Sequence, residues 1–245
     1  MLQIKKSDTG ILAGAFNFLG FKNNSSVTPL IKVPFMMSGG KPVPATTKEA
    51  LDGYMLGVGQ LDNYFANNPL PANMDPSKLR VFIHSSSQKF AQFYKALGSK
   101  HSEKYIRERV VGFNSVDRDS LVGQSAIPDF KDVTSTIGLN PELQAGPIGA
   151  KATFEGGNSY AETITHEFGH SLHRAISFMF GMSGLAGEAD FNKAYRAIKR
   201  QFVSEYGKDS FAEHFAEAFS KYVTTGEATP EFKQFLQKYI HNVSA

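Results

Sequence analysis

The stretch Thr163–Arg174 reads TITHEFGHSLHR and places His166, Glu167, His170 and His173 within eight residues. On a helix, two imidazoles at i and i+4 stand one turn apart and reach over the same patch. That separation lets two ring nitrogens meet a single zinc ion at about 2.0–2.1 Å. Glu167, one residue after the first histidine, is turned to the flank of the patch. Its carboxylate joins the pair as a ligand only with strain, but it reaches a water in the metal's open position and can take that water's proton. The competing reading of the same residues is a solvated helix face that collected His and Glu by chance.

The helix that these residues need is well marked. Ser159 and Glu162 have capping-box spacing, and Gly181 supplies a stop. Between them Ile164, Phe168, Leu172, Ala175, Ile176 and Met179 form one apolar stripe. At about 100° per residue, His166, His170 and His173 fall roughly opposite it, so they are expected not to be core fillers. The chain has no cysteine, so a metal must sit on His, Asp or Glu. This is the H-E-x-x-H arrangement of zinc peptidases, and Zn2+ is the expected cofactor.

A catalytic zinc site takes a third protein ligand and keeps one position for water or substrate. The candidates are His173, Glu188, Asp190, Glu213, His214, Glu217 and His241. His173 lies about 7.5 Å along the axis from the midpoint of the first pair, too far for a straight helix, which suits an outer or substrate-contacting place. The longer metzincin motif requires glycine at position 173 and histidine at position 176, where this chain has His173 and Ile176. Downstream, SEYGKDSFAEHFAEAFSKYV predicts a second helix with an aromatic-rich stripe of Phe211, Phe215, Ala218, Phe219 and Tyr222. Glu213 and Glu217 share its opposite face one turn apart. Alone they read as a solvated pair; beside a zinc helix, a glutamate ligand with a second carboxylate to orient a ligating histidine is a workable constellation.

HEFGH together with SEYG and AEHFAEAF resembles the catalytic domain of anthrax lethal factor and its relatives, a family of zinc metalloendopeptidases that includes the Pro-Pro endopeptidases. The resemblance covers about Ile148 to Asn242 and is strong in those three short motifs. It implies a zincin-like fold and a protein or peptide substrate. It also implies His166 and His170 as ligands, Glu167 as general base and Glu213 as third ligand. Glu217 takes the place of the outer-shell glutamate, and Tyr206 that of the tyrosine that stabilises the oxyanion. His214 stands where lethal factor has an aromatic residue, and His173 lies outside the family pattern. Similar domains also occur in proteins of phages and mobile elements, which implies the alternative of a structural or partner-binding protein that keeps the peptidase fold.

The elements that must carry this site follow from breakers and periodicity. Residues 1–45 are rich in Gly, Pro, Ser and Asn and read as an N-terminal arm; residues 46–245 read as the metallopeptidase domain. Thr46–Asn67 has Leu51, Met55, Val58, Leu61 and Phe65 at helical spacing. LRVFIH and RERVVGFN read as strands, SQKFAQFYKALG as a helix stopped by Gly98, and Val116–Pro147 as loop-like. IGAKATFE alternates as a half-exposed strand, expected to be an edge that pairs with an extended peptide. Helices are expected over Ser159–Phe180, Glu188–Phe202, Ser210–Val223 and Pro230–His241. The order is an α+β fold, a small mixed sheet followed by a mainly helical C-terminal half.

Composition narrows the function classes. The 245 residues, 41% hydrophobic, are enough for a packed core. The 26 basic and 23 acidic residues leave a net charge of +3 with no basic run, which argues against nucleic acid as a partner. The apolar stretch Gly10–Phe21 is too short to span a bilayer and lacks a cleavage pattern, so neither a conventional secretory signal nor a membrane anchor is expected.

Overall fold

The computed structural model of the chain describes residues 45–71, 74, 79–116, 135–143, 159–180, 188–199 and 211–241. Among the described residues the elements begin with helix α1 (Ala45–Asn67), followed by strand β1 (Leu79–Ile83) and helices α2 (Ser87–Ala96) and α3 (Glu103–Arg109). Strands β2 (Gly112–Val116) and β3 (Ser135–Leu139) join β1 in a sheet that has three strands among the described residues. Helices α4 (Tyr160–Phe180), α5 (Glu188–Lys199), α6 (Phe211–Thr225) and α7 (Pro230–Leu236) follow, and α7 runs on into a π-helical turn, Gln237–His241. The fold is mixed α+β, mostly helical with a small three-stranded sheet. Residues 1–44 of the N-terminal arm, the expected strand at Ile148–Phe154 and Tyr206 lie outside the described residues.

The sheet has the order β1-β3-β2, with β1 parallel and β2 antiparallel to β3. Its central strand falls inside Val116–Pro147, where a loop is expected. Ser-Thr-Ile-Gly-Leu is short and carries a glycine, so it has little strand character of its own. Its burial comes from neighbours on both sides, and Ile137 and Leu139 are fully buried. Gly138 is required there, because a β-carbon at that position would collide with the Phe113 ring. The strand expected over RERVVGFN starts only at Gly112. Arg107–Arg109 instead close α3, whose start is fixed by Ser102 accepting from the Tyr105 N–H at 3.1 Å. Gly98 ends α2 as expected, at φ +90°.

Period-two alternation divides the sheet between two cores. Leu79, Val81, Ile83, Ile137 and Leu139 join Tyr54, Val58, Leu61 and Phe65 of α1, Ile164, Phe168 and Leu172 of α4, and Phe215 and Phe219 of α6. Phe113 points the other way, into a smaller cluster with Phe90, Ala91 and Ile106 from α2 and α3. Three of the helices in the main core, α1, α4 and α6, approach closely through glycines. On α1, a β-carbon at Gly57 would stand 2.6 Å from the Ala161 carbonyl oxygen of α4. On α4, one at Gly169 would stand 2.9 Å from the Ala216 Cα of α6. No helix among the described residues is long and apolar enough to cross a membrane.

At the end of β1, His84 is buried among the rings of Phe82, Phe90 and Phe93. Its Nε2 has no hydrogen-bond partner among the described residues. Burial holds its pKa down to about 4, well below the ordinary histidine value. The native state therefore binds this proton less readily than the unfolded chain. The associated stability is complete above about pH 6.5 and is lost as pH falls toward 4. Urea unfolding of the wild type and His84→Phe at pH 7 and pH 5 is expected to show the wild type losing about 2 kcal/mol more than the variant. Equal losses in the two proteins would remove His84 as the cause.

Candidate metal centre

Helix α4 starts with the capping box that the sequence predicts. The Glu162 N–H donates to Ser159 Oγ at 3.2 Å, and the Ser159 N–H donates to Glu162 Oε2 at 2.8 Å. The apolar stripe faces the core as expected, with Ile164, Phe168, Leu172, Ala175 and Ile176 all buried. The opposite face is largely covered, by α6 on one side and by Gly112 and Asn114 of β2 on the other. Thr165 and Ser220 share a hydrogen bond across that contact, and Ser220 also donates to the Glu162 carbonyl at 3.0 Å. His166 and Glu167 are consequently buried, and His170 is half-buried.

Across this interface three donors converge. His166 Nε2 is 3.1 Å from Glu213 Oε2, His170 Nε2 is 3.3 Å from the same oxygen, and the two ring nitrogens are 3.1 Å apart. Four ligands held tetrahedrally at about 2.0–2.1 Å from a zinc ion are about 3.3–3.4 Å from one another. The triangle therefore has nearly the edge length that one such ion requires. The two rings meet edge to face at 84° rather than stacking. These are the only His, Asp or Glu side chains among the described residues that gather in this way. Two neutral imidazoles and a carboxylate are a donor set suited to zinc, with a position left for water or substrate.

The electrostatics agree with the geometry. Glu213 is pushed far below the ordinary carboxylate range: burial raises its pKa, but the bonds from His166 and His170 outweigh it. His166 responds in the opposite sense. Burial lowers its pKa, yet the bond to Glu213 and the fields of Glu167, Glu213 and Glu217 leave it raised. His170 is lowered, by burial first and by its neighbour His166. Glu167 rises to about 7 because burial removes water from its carboxylate and Glu213 repels its charge, against the pull of His166 and Arg174.

The remaining candidates have other surroundings. Glu217 is fully buried at the α4–α6 contact and acts on His166 through its charge. His214 is buried on the same helix. His173 is not part of the triangle. Its ring stacks at 15° on Tyr195 of α5, its Nε2 pairs with the Tyr195 hydroxyl, and it also meets Phe215. His241 closes the π-helical turn, bonding the Pro69 carbonyl through Nδ1 at 2.8 Å and Tyr64 through Nε2 at 2.7 Å.

Three residues near the site escape a reading by motif. Asn114 of β2 donates to the Glu167 carbonyl at 2.9 Å and to Ser171 Oγ at 2.7 Å. Arg174 in turn donates to the Asn114 side-chain and backbone oxygens. Gly112, two residues earlier, lies against the Glu167 side chain. For Gly112 and Asn114 the only sequence signal is the alternation within GFNSV, which puts them on one face.

Residues 148–244 match a family described as "Putative zinc-binding metallo-peptidase". The match spans α4 and α6 and so includes all three converging donors. The family description and the donor set agree on Zn2+ as the cofactor, and a peptidase family implies protein or peptide substrates. No curated protein matches the chain.

Proposed function

We propose that this chain is a zincin-like zinc endopeptidase in which His166, His170 and Glu213 hold the metal and Glu167 is the general base. The observation that carries the reading is the His166–His170–Glu213 triangle with its 3.1–3.3 Å edges, set beside a buried carboxylate. Zinc, when bound, supplies Lewis acidity that lowers the pKa of water toward about 7 and polarises a carbonyl. Glu167 accepts the proton of the attacking water and returns it to the departing amine nitrogen. Burial favours the protonated form of Glu167 while the fields of His166 and Arg174 favour the ionised form, an environment suited to a group that must both take and return a proton. Glu217, buried behind His166, acts as an outer-shell carboxylate, and His173 buttresses the second histidine turn through Tyr195. The lethal factor resemblance supplies Tyr206 as the donor to the developing oxyanion, and supplies residues 46–245 as the peptidase domain with residues 1–45 as an appended arm. An extended peptide pairs with the Ile148–Phe154 segment by strand addition.

The test is Glu167→Gln, which keeps the side chain's size and removes its basicity. Incubation with a mixed peptide library and product analysis by mass spectrometry is expected to show turnover reduced by about 10²–10⁴-fold, with zinc content unchanged. Undiminished turnover in the zinc-loaded variant would refute the role of Glu167. Zinc binding by the wild type without cleavage of any peptide would shift the reading to a partner-binding protein built on the peptidase fold.

A further inference from the structure

We propose that Gly112 is a positioning residue for Glu167: by lacking a side chain, it leaves the space in which the carboxylate is held, and β2 is fastened so that this space stays fixed. The catalytic consequence rests on the peptidase reading, whereas the contact itself does not.

A β-carbon at position 112 would stand 2.9 Å from Glu167 Oε1, 3.1 Å from Glu167 Cγ and 3.1 Å from Thr163 Cγ2. Relief of that crowding has three routes, and two are closed. The strand cannot retreat, because Gly112 pairs with Leu139 in the sheet. Asn114, two residues on, is tied to the Glu167 carbonyl and to Ser171 and is itself gripped by Arg174. Thr163 cannot turn away easily, because it is β-branched and its hydroxyl donates to the Ser159 carbonyl at 3.2 Å. What remains is rotation of the Glu167 side chain, whose far end is the most flexible of the three groups. An added methyl at position 112 would therefore displace the carboxylate while leaving the strand, the helix and the three metal donors in place.

This residue is distinct from a glycine kept for backbone reasons. Gly112 does not have the positive φ seen at Gly98 and Gly226, so alanine meets no conformational penalty there. In a strand with no neighbour in the way, Gly→Ala is stabilising. Any loss on substitution must come from what the new methyl touches.

The experiment is a double-mutant cycle on the zinc-loaded protein, using Gly112→Ala, Glu167→Ala and the two combined, read by thermal unfolding. In the wild-type background Gly112→Ala is expected to lower Tm by about 2–4 °C. In the Glu167→Ala background, with the carboxylate gone, the same substitution is expected to lower Tm by clearly less than in the wild type, the remaining cost being the contact with Thr163 Cγ2 at 3.1 Å. Gly112→Ala is also expected to lower kcat by about 10²-fold with KM changed less than about twofold, the pattern of a misplaced reacting group. Zinc affinity is expected to equal that of the wild type. Additive Tm shifts, or an unchanged kcat in Gly112→Ala, would overturn the proposal. A wild type that cleaves no peptide would sink the peptidase reading instead, and the Tm cycle would still decide whether Gly112 makes room for Glu167.

Discussion

Glu213→Ala is expected to abolish stable zinc binding, lowering the affinity by at least about 10²-fold. Losing a partner one shell further out already lowers metal affinity by about 10–100-fold. Glu213 stands closer than that, within 3.1 and 3.3 Å of the two imidazole nitrogens that complete the set. It also supplies the only negative charge in the triangle, and without it two histidines would have to hold a divalent cation with water alone. Competition against a chelator measures the affinity directly, and thermal unfolding supplies an independent readout. A ligand that binds only the native state stabilises by RT ln(1 + [L]/Kd), so zinc at 100 times Kd is worth about 2.7 kcal/mol to the wild type. The variant, taken to the same zinc concentration, is expected to show almost none of that gain. Glu213→Gln separates charge from shape, because its amide oxygen stays in place while the carboxylate charge is gone; it is expected to fall between the two. Wild-type affinity in Glu213→Ala would mean that the ion, if bound, is held by other donors.

The contrast with Glu217 follows from burial. Glu217 lies one turn further along α6, fully buried, outside the triangle, and its charge acts on His166. By helix periodicity the two glutamates are an equivalent pair at i and i+4, and in the sequence only the lethal factor resemblance tells them apart. What separates them is the crossing of α6 over α4, which brings Glu213 to the open side of the cluster and leaves its side chain 24% exposed. Helix periodicity states which residues share a face, but it is silent on whether that face meets water or another helix. The same limit explains the histidines: their placement opposite the apolar stripe is correct, yet the face is covered because α4 is packed on two sides.

Other parts of the site were legible for equally local reasons. The α4 capping box, the Gly98 stop and the i, i+4 histidine pair each depend on residues within one or two turns of each other. The central strand β3 was not legible, since Ser135–Leu139 owes its conformation to β1 and β2 alongside it rather than to its own propensity. Asn114 and Arg174 were equally hidden, being 60 residues apart in sequence and joined only by the way β2 lies against α4. The glycines form a third case. In HEFGH, position 169 falls between the motif residues, and nothing in the sequence distinguishes a spacer from a contact.

Gly169 is that contact, and Gly169→Val is expected to weaken both folding and zinc binding. A β-carbon there would meet the Ala216 Cα at 2.9 Å, its carbonyl oxygen at 3.2 Å and its Cβ at 3.3 Å. Two of those three atoms are backbone, so no rotamer change relieves the crowding and α6 must move as a body. Overpacking of this kind destabilises by about 1–3 kcal/mol. Glu213 lies one turn before Ala216 on the same helix, and a displacement of α6 by a fraction of an ångström carries its carboxylate away from His166 and His170. Zinc affinity is therefore expected to drop by about tenfold or more, although position 169 is not a ligand. Gly57→Val is the matched control. Its side chain would press against the Ala161 Cα at 2.9 Å across the α1–α4 contact, with a comparable penalty in stability. Because α1 carries none of the three donors, its displacement leaves the triangle intact, and chelator competition is expected to return the wild-type zinc affinity. Equal losses of affinity in the two variants would mean that general destabilisation, rather than the seat of α6 on α4, governs how the metal is held.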